Sequence, residues 1–368
     1  RAEVEDEVAT VLAAAREEPE PDASTLLDDV IVARPAPAPE REVETEEEIR
    51  TIRAIRDSLR DALADDESVF LAGIDIGRGG GVFNESKGLY DEFPGRVIDM
   101  PIAESAIVGL GLGAAMSGLR PIVEVMYLDF IGVCFDQIVN QAAKLRYMTG
   151  GGAAVPLTIR TQFGAGRSSG AQHSQSLEAL LAHIPGLTVV MPSTPADAYG
   201  LLRSAIDDPN PVIVIENRIL YGVKGPKAPA GHRVPIGKAK VVREGGDVTV
   251  VSLSRMVSVA LEAAAELAGE GVEAEVIDLR TVSPLDRETV LTSLAKTNRL
   301  VVVHEAVTDF GIGAEIAASA AGAGFWDLDA PIARVGAPFS PAPYAPVLER
   351  AWLPDAARVK AAILETVA

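Results

Sequence analysis

Leu187-Thr-Val-Val-Met191-Pro-Ser-Thr194-Pro-Ala-Asp197 holds a complete passage from strand to helix in eleven residues. Its first five positions suit a strand buried on both faces. Thr194 then supplies an N-cap, Pro195 takes the first helical position, and Asp197 places an acid in the first turn. The same alternation runs through the chain around it. Ile122–Val125, Pro156–Arg160 and Val212–Glu216 are short apolar runs, separated by helical periodicity around 134–147, 176–183 and 195–206. Upstream, the spacing of Ile49, Ile52, Ile55, Leu59 and Leu63 predicts a helix starting near Glu46 and leading into the strand Val69–Ala72. Strands alternating with helices predict a parallel sheet covered on both faces.

Residues 222–237 are dense in Gly and Pro and lack apolar periodicity, which marks a domain boundary. Beyond them the alternation restarts, with strands near 248–252, 273–278, 299–303 and 332–335 and helices near 256–269, 286–296, 312–321 and 354–366. The expected fold class is therefore α/β, with two doubly wound domains.

The 368 residues are 48% hydrophobic, enough for a large core, and no apolar run is long enough to span a bilayer. A net charge of −20 argues against nucleic-acid or anionic-membrane partners. Residues 1–50 carry five Arg against sixteen Asp and Glu, so more than half of the excess lies there. Residues 2–16 can form a helix, which Pro19 and Pro21 stop, and Ala33–Glu40 reads as a stiff extended joint. The start at Arg1, without a signal-peptide pattern, is expected of a processed chain or a piece of a longer one. The single cysteine, Cys134, reads as a small core residue and fits a reducing, cytoplasmic setting.

Three places can carry chemistry. Glu104 stands where an extended segment gives way to the helix Glu104–Gly118, and a carboxylate there is favoured by the helix dipole whatever else it does. The Gly109-Leu-Gly-Leu-Gly113 run inside that helix has the wrong spacing for dinucleotide binding and reads instead as close helix packing. Met126 and Phe130 follow a strand end, where they can wall a flat heterocycle or simply belong to the core. Phe163–Ser176 is a glycine-rich loop that presents His173, a group able to exchange protons near neutrality. His183 reads as a helix-end residue, His232 as part of the linker, and His304 as a strand-end residue suited to a subunit interface. Metal-ligand spacing and a Walker sequence are both missing.

The blocks Gly73–Gly77, Pro101–Ser105, Phe130, Asp136–Asn140, Gly170–Gln175, Pro185–Pro192, Asp208–Pro211 and Asp278–Asp286 occur in an order that resembles one family. It is the β subunit of the thiamine diphosphate-dependent 2-oxo acid dehydrogenase decarboxylating component, within the transketolase-like superfamily. The likeness runs from about residue 49 to the end. The leader, through Glu3–Val8, Ala13–Arg16, Pro19–Asp22 and Leu26–Val30, resembles the C-terminal tail of the family's α subunit, as in an α/β fusion. The implied organisation is an acidic leader at 1–33, a linker at 34–48, a pyrimidine-binding domain at 49–222, a linker at 223–240, and a transketolase C-terminal-like domain at 241–368.

The resemblance implies that Glu104 hydrogen-bonds the cofactor's pyrimidine nitrogen and is catalytic, and that Ile102, Met126 and Phe130 contact the pyrimidine ring. It implies that His173 meets the substrate carboxylate or supplies a proton during acyl transfer. Leu157, Ala205, Asp208 and Asn210 match a structural potassium site. The family's diphosphate and magnesium site needs Gly-Asp-Gly, which occurs nowhere in the chain, so magnesium ligands are expected on an α partner. The expected partners are that α portion, a second copy in an α2β2-type assembly, and a lipoyl-bearing acyltransferase. The expected reaction decarboxylates a 2-oxo acid and passes the acyl group to a lipoyl carrier, with pyruvate, branched-chain 2-oxo acids and acetoin left open as substrates. Transketolase-like two-carbon transfer and a non-catalytic scaffold role stand as alternatives.

Overall fold

Val69–Gly73, Thr158–Phe163 and Val212–Asn217 are buried at every position, as central strands covered on both faces must be. The computed structural model describes residues 1–35 and 40–368, so Ala36–Pro39 of the expected Pro-rich joint lie outside the described residues. The strands in chain order are β1 (Glu48–Arg50), β2 (Val69–Gly73), β3 (Val97–Asp99), β4 (Arg120–Val125), β5 (Thr158–Phe163), β6 (Thr188–Val190) and β7 (Val212–Asn217). They continue as β8 (Lys224–Pro226), β9 (Lys240–Arg243), β10 (Val248–Ser252), β11 (Ala274–Asp278), β12 (Thr281–Ser283), β13 (Leu300–Val307) and β14 (Ala333–Ala337).

One sheet has the order β12-β6-β7-β5-β4-β2-β3 and is parallel apart from β12. The other, β14-β13-β10-β11-β9, is parallel apart from β9. The fold is thus α/β with two mainly parallel sheets. Because β12 comes from the later half of the chain yet adds to the first sheet, the halves share a core that includes Val189, Met191, Leu253, Leu279 and Val282. Thr194 caps the Pro195–Asp207 helix by accepting the Asp197 amide at 3.1 Å, as the sequence predicts.

Three expectations change. The helix expected from Glu46 starts at Thr51, because Glu48–Arg50 pairs with Lys224–Pro226 as a strand. The expected helix at 134–147 is split into the 3-10 segment Leu128–Cys134, the π-turn Gln137–Ala142 and the short helix Leu145–Met148. The π-turn is a wider coil that keeps both Ile138 and Ala142 buried. His304 lies inside β13 rather than at an interface, in a slot where a Cβ on Gly311, Gly313 or Gly336 would come within 2.7–3.1 Å of its ring.

The leader helix Ala2–Glu17 buries no residue. The segment after this helix straps the first domain. Val32 exchanges two hydrogen bonds with the Asn210 side chain, at 2.6 and 3.0 Å, and Arg34 pairs with Asp208. Glu40 then pairs with Arg280 at 2.6 Å in the loop before β12. Among the described residues no helix is long and apolar enough to cross a membrane.

Burial pulls the His304 imidazole down to about 4. It is neutral when folded and binds a proton when unfolded, so its contribution is complete above about pH 6.5 and is lost as the pH falls towards 4. The size is on the order of 3 kcal/mol. Urea denaturation across this range should show a stability slope that His304→Leu flattens; an unchanged slope would contradict it.

Candidate active site

Parallel strands aim their C-terminal ends at one edge of the sheet, and α/β sheets bind ligands at that edge. Glu104 follows β3, Met126 and Phe130 follow β4, the His173 loop follows β5, and Arg218 follows β7. All of them therefore gather at the same edge.

Glu104 is the first residue of the Glu104–Met116 helix and only 7% exposed. Among the described residues its carboxylate receives no hydrogen bond, and its oxygens are not closed off from the surface. The helix is drawn tight against the sheet at Gly111, where a Cβ would lie 2.7 Å from Val123 and 2.8 Å from Leu157. Gly109 and Gly113 meet no such contact, so only one glycine of the run serves close packing. The next residue after Glu104, Ser105, donates to the Val133 carbonyl at 2.7 Å and ties the helix start to the Leu128–Cys134 segment. Cys134 is buried there, and burial, with the Glu104 charge nearby, pushes its thiol up to about 12.

Phe130, from the same segment, meets His173 edge to face at 5.3 Å. Tyr127 also meets the imidazole at 5.3 Å, so His173 is wedged between two aromatic rings. The Arg218 guanidinium stacks 4.9 Å from the Tyr127 ring and donates to the carbonyls of Gly164 and His173. Asp129 accepts the Ser174 and Gln175 amides at 3.2 and 3.0 Å, closing the far end of the loop. Beyond the loop lies a cleft of about 290 Å³ lined by Ala171, Ser174, Leu177, Ala306, Phe339 and Trp352.

A fully buried ion cluster lies beneath. Arg160, 0% exposed on β5, forks onto Glu216 of β7 at 2.8 and 2.9 Å and reaches Glu124 of β4 at 2.6 Å. Tyr221 donates to Glu216 at 2.6 Å. Burial and the neighbouring Glu85 hold Glu124 well above the usual carboxylate range, against the pull of Arg160. Phe83 contacts both Tyr221 and Tyr127, at 5.4 and 5.9 Å, so an aromatic line connects the cluster to the histidine.

The structure brings Glu104, Phe130 and His173 to one edge, with half-buried Met126 at the end of β4. Ile102 stands apart, 81% exposed, in the turn before Glu104. Leu157, Ala205, Asp208 and Asn210 lie at the opposite edge, where β5 and β7 begin. There the Leu157 carbonyl accepts the Val212 amide at 2.9 Å and the Ala205 carbonyl accepts the Asp208 amide at 3.3 Å. Asp208 also accepts the Asn210 side chain at 2.8 Å and the Arg34 guanidinium, so it already faces a resident cation. His183 caps the Glu178–Ala182 helix, and His232 is buried in the segment leading to β9. Sequence reasoning missed Tyr127, Asp129 and Arg218, which reveal themselves only through contacts with the loop.

The transketolase pyrimidine-binding domain family matches residues 47–224, and the transketolase C-terminal domain family matches 237–359. The acetoin:2,6-dichlorophenolindophenol oxidoreductase subunit beta of Bacillus subtilis (strain 168) is 47% identical, across 85% of this chain and 95% of its own length. The chain belongs to the E1 β-subunit family. The 2-oxoisovalerate dehydrogenase subunit beta of Bacillus subtilis (strain 168) is 44% identical, covering 85% of this E1 β chain and 97% of the relative. The mitochondrial pyruvate dehydrogenase E1 component subunit beta-2 of Oryza sativa subsp. japonica is 46% identical, covering 83% of each. A solved split-gene transketolase, described as an inactive beta4 tetramer, superposes with a TM-score of 0.72 over 87% of this chain and 98% of that one. At 24% identity it speaks for the fold of this E1 β chain alone.

Arg160→Met should strand Glu216 and Glu124 without a countercharge and lower stability by about 3–5 kcal/mol. Breaking the exposed Arg287–Glu315 pair should cost under about 1 kcal/mol. Parallel urea melts check the contrast, and equal losses would contradict a structural role for the buried cluster.

Proposed function

We propose that this chain is the β half of a thiamine diphosphate-dependent 2-oxo acid dehydrogenase component, acting on a 2-oxo acid or acetoin together with an α partner. The observation that carries the reading is Glu104, a largely buried residue whose carboxylate has no hydrogen-bond partner yet is not closed off from the surface, set at the ligand-binding edge beside the Phe130–His173 pair. A carboxylate acceptor of this kind suits a protonated pyrimidine nitrogen, and the half-buried Met126 and Phe130 suit a flat ring. Ile102, standing exposed before Glu104, is ready to be covered by a cofactor or a partner surface.

When bound, thiamine diphosphate supplies the electron sink for loss of carbon dioxide. Glu104 binds and orients the pyrimidine end and holds a proton at its carboxylate during activation. Met126 and Phe130 exclude water from the ring face. His173, held between Tyr127 and Phe130, offers an imidazole for the substrate carboxylate or for proton delivery when the acyl group leaves for a lipoyl carrier.

Magnesium belongs to the α partner on this reading, since the chain has no Gly-Asp-Gly. Potassium would compete with Arg34 for Asp208, so the reading carries no requirement for it. An α2β2-type assembly follows the family pattern, with the strapped leader as the joint to an α portion. The oxidoreductase names of the relatives favour this reading over two-carbon ketol transfer or a scaffold role.

The chain complemented with its α portion should reduce an artificial acceptor when given pyruvate, a branched-chain 2-oxo acid or acetoin. Glu104→Gln should lower that rate by about 10²–10⁴-fold. Retention of near wild-type turnover by Glu104→Gln would remove the proposal.

A further inference from the structure

The loop that delivers His173 is shaped by the second domain. Gly164, Gly166, Ser168 and Gly170 have φ of +103°, +102°, +51° and +75°, all in the left-handed region. Glycine accepts this freely, but a serine there costs about 1–2 kcal/mol and must be held. Ser168 donates its amide to both oxygens of the Glu349 carboxylate, at 2.9 and 3.1 Å, and its hydroxyl at 3.3 Å. The Gly166 amide reaches the same carboxylate at 2.7 Å. The neighbouring Ala165 amide donates to Glu305 at 2.7 Å, and Glu305 also accepts Asn217 at 2.9 Å.

Glu305 lies on β13 and Glu349 in the Pro346–Trp352 helix, so both carboxylates come from the second domain. Glu349 is buried, and a buried carboxylate is tolerable only while its donors stay in place. The loop amides in turn would be left without acceptors if Glu349 withdrew. Each side therefore fixes the other, and Arg218 carries the constraint onward through the carbonyls of Gly164 and His173.

We propose that Glu349, backed by Glu305, is a positioning residue that sets the His173 loop and keeps the imidazole wedged between Tyr127 and Phe130. The proposal rests on the reading of His173 as a group that meets the substrate. Second-domain packing thereby becomes a determinant of geometry in the first-domain site. Glutamine at 349 would offer one acceptor oxygen and turn an NH₂ towards the Ser168 amide, so it should break the grip while nearly conserving shape.

The test uses the α-complemented complex with Glu349→Gln, His173→Ala and the double variant. Glu349→Gln should lower kcat about tenfold or more, with the KM for the 2-oxo acid changed by less than about twofold. The double variant should be no slower than His173→Ala alone, because the two changes disable one device. Hydrogen exchange at the amides of 164–173 should rise in Glu349→Gln while the thermal midpoint stays in place. Should Glu349→Gln fail to fold, Glu349→Asp, which keeps the charge and withdraws it by one methylene, takes its place in the same measurements. Multiplying losses beside a slow His173→Ala, or unchanged exchange in the loop, would overturn the clamp and leave the functional reading intact. Wild-type turnover by His173→Ala would overturn the reading of His173 and the clamp with it.

Discussion

A single guanidinium sets the geometry on which the candidate site stands. Arg160 lies on the middle strand of a seven-stranded sheet and holds Glu216 on one neighbouring strand and Glu124 on the other. A planar fork can satisfy two carboxylates only when the strands are in register, so the ion cluster pins three strand ends at once. Two residues beyond Glu124 comes Met126, and two beyond Glu216 comes Arg218. The chain beyond Arg160 enters the His173 loop. Buried charges seldom add net stability over an apolar core, and their worth here is in fixing one arrangement of strand ends.

From that edge the structure works as an incomplete container. The Glu104 carboxylate has no partner, Ile102 stands in the open, His173 packs on two aromatic rings, and the loop that carries it is held at Ala165, Gly166 and Ser168 by second-domain carboxylates. At the opposite edge the segment after the leader helix is strapped down by Asn210 and Asp208, while Glu40 pairs with Arg280 where β12 meets the C-terminal end of β6.

Much of this is legible from residue types. Apolar runs and the Thr194 cap signal strands and helices because burial and capping act locally, and Glu104 stands out as an acid at a helix start. The helix expected from Glu46 begins late because Glu48–Arg50 answers to Lys224–Pro226, a partner far along the chain. The helix expected at 134–147 breaks up because its apolar spacing fits a π-turn as well as an α-helix. The burial of His304 is hidden in the sequence because its slot is formed by three glycines, one of them on the neighbouring strand β14. Tyr127, Arg218 and Glu349 are invisible for the same reason: each acts through a contact that only the folded chain creates. The pyrimidine-side readings come from family likeness in motif order, which no single spacing supplies.

The central claim is that Glu104 completes a cofactor site only when another polypeptide region brings the diphosphate end. Calorimetric titration of thiamine diphosphate with magnesium, into the chain alone and into the chain with its α portion, tests it most directly. A half-site predicts saturable, tight binding only in the presence of the α portion, weakened by Glu104→Gln. Tight binding and full turnover by the chain alone would contradict it.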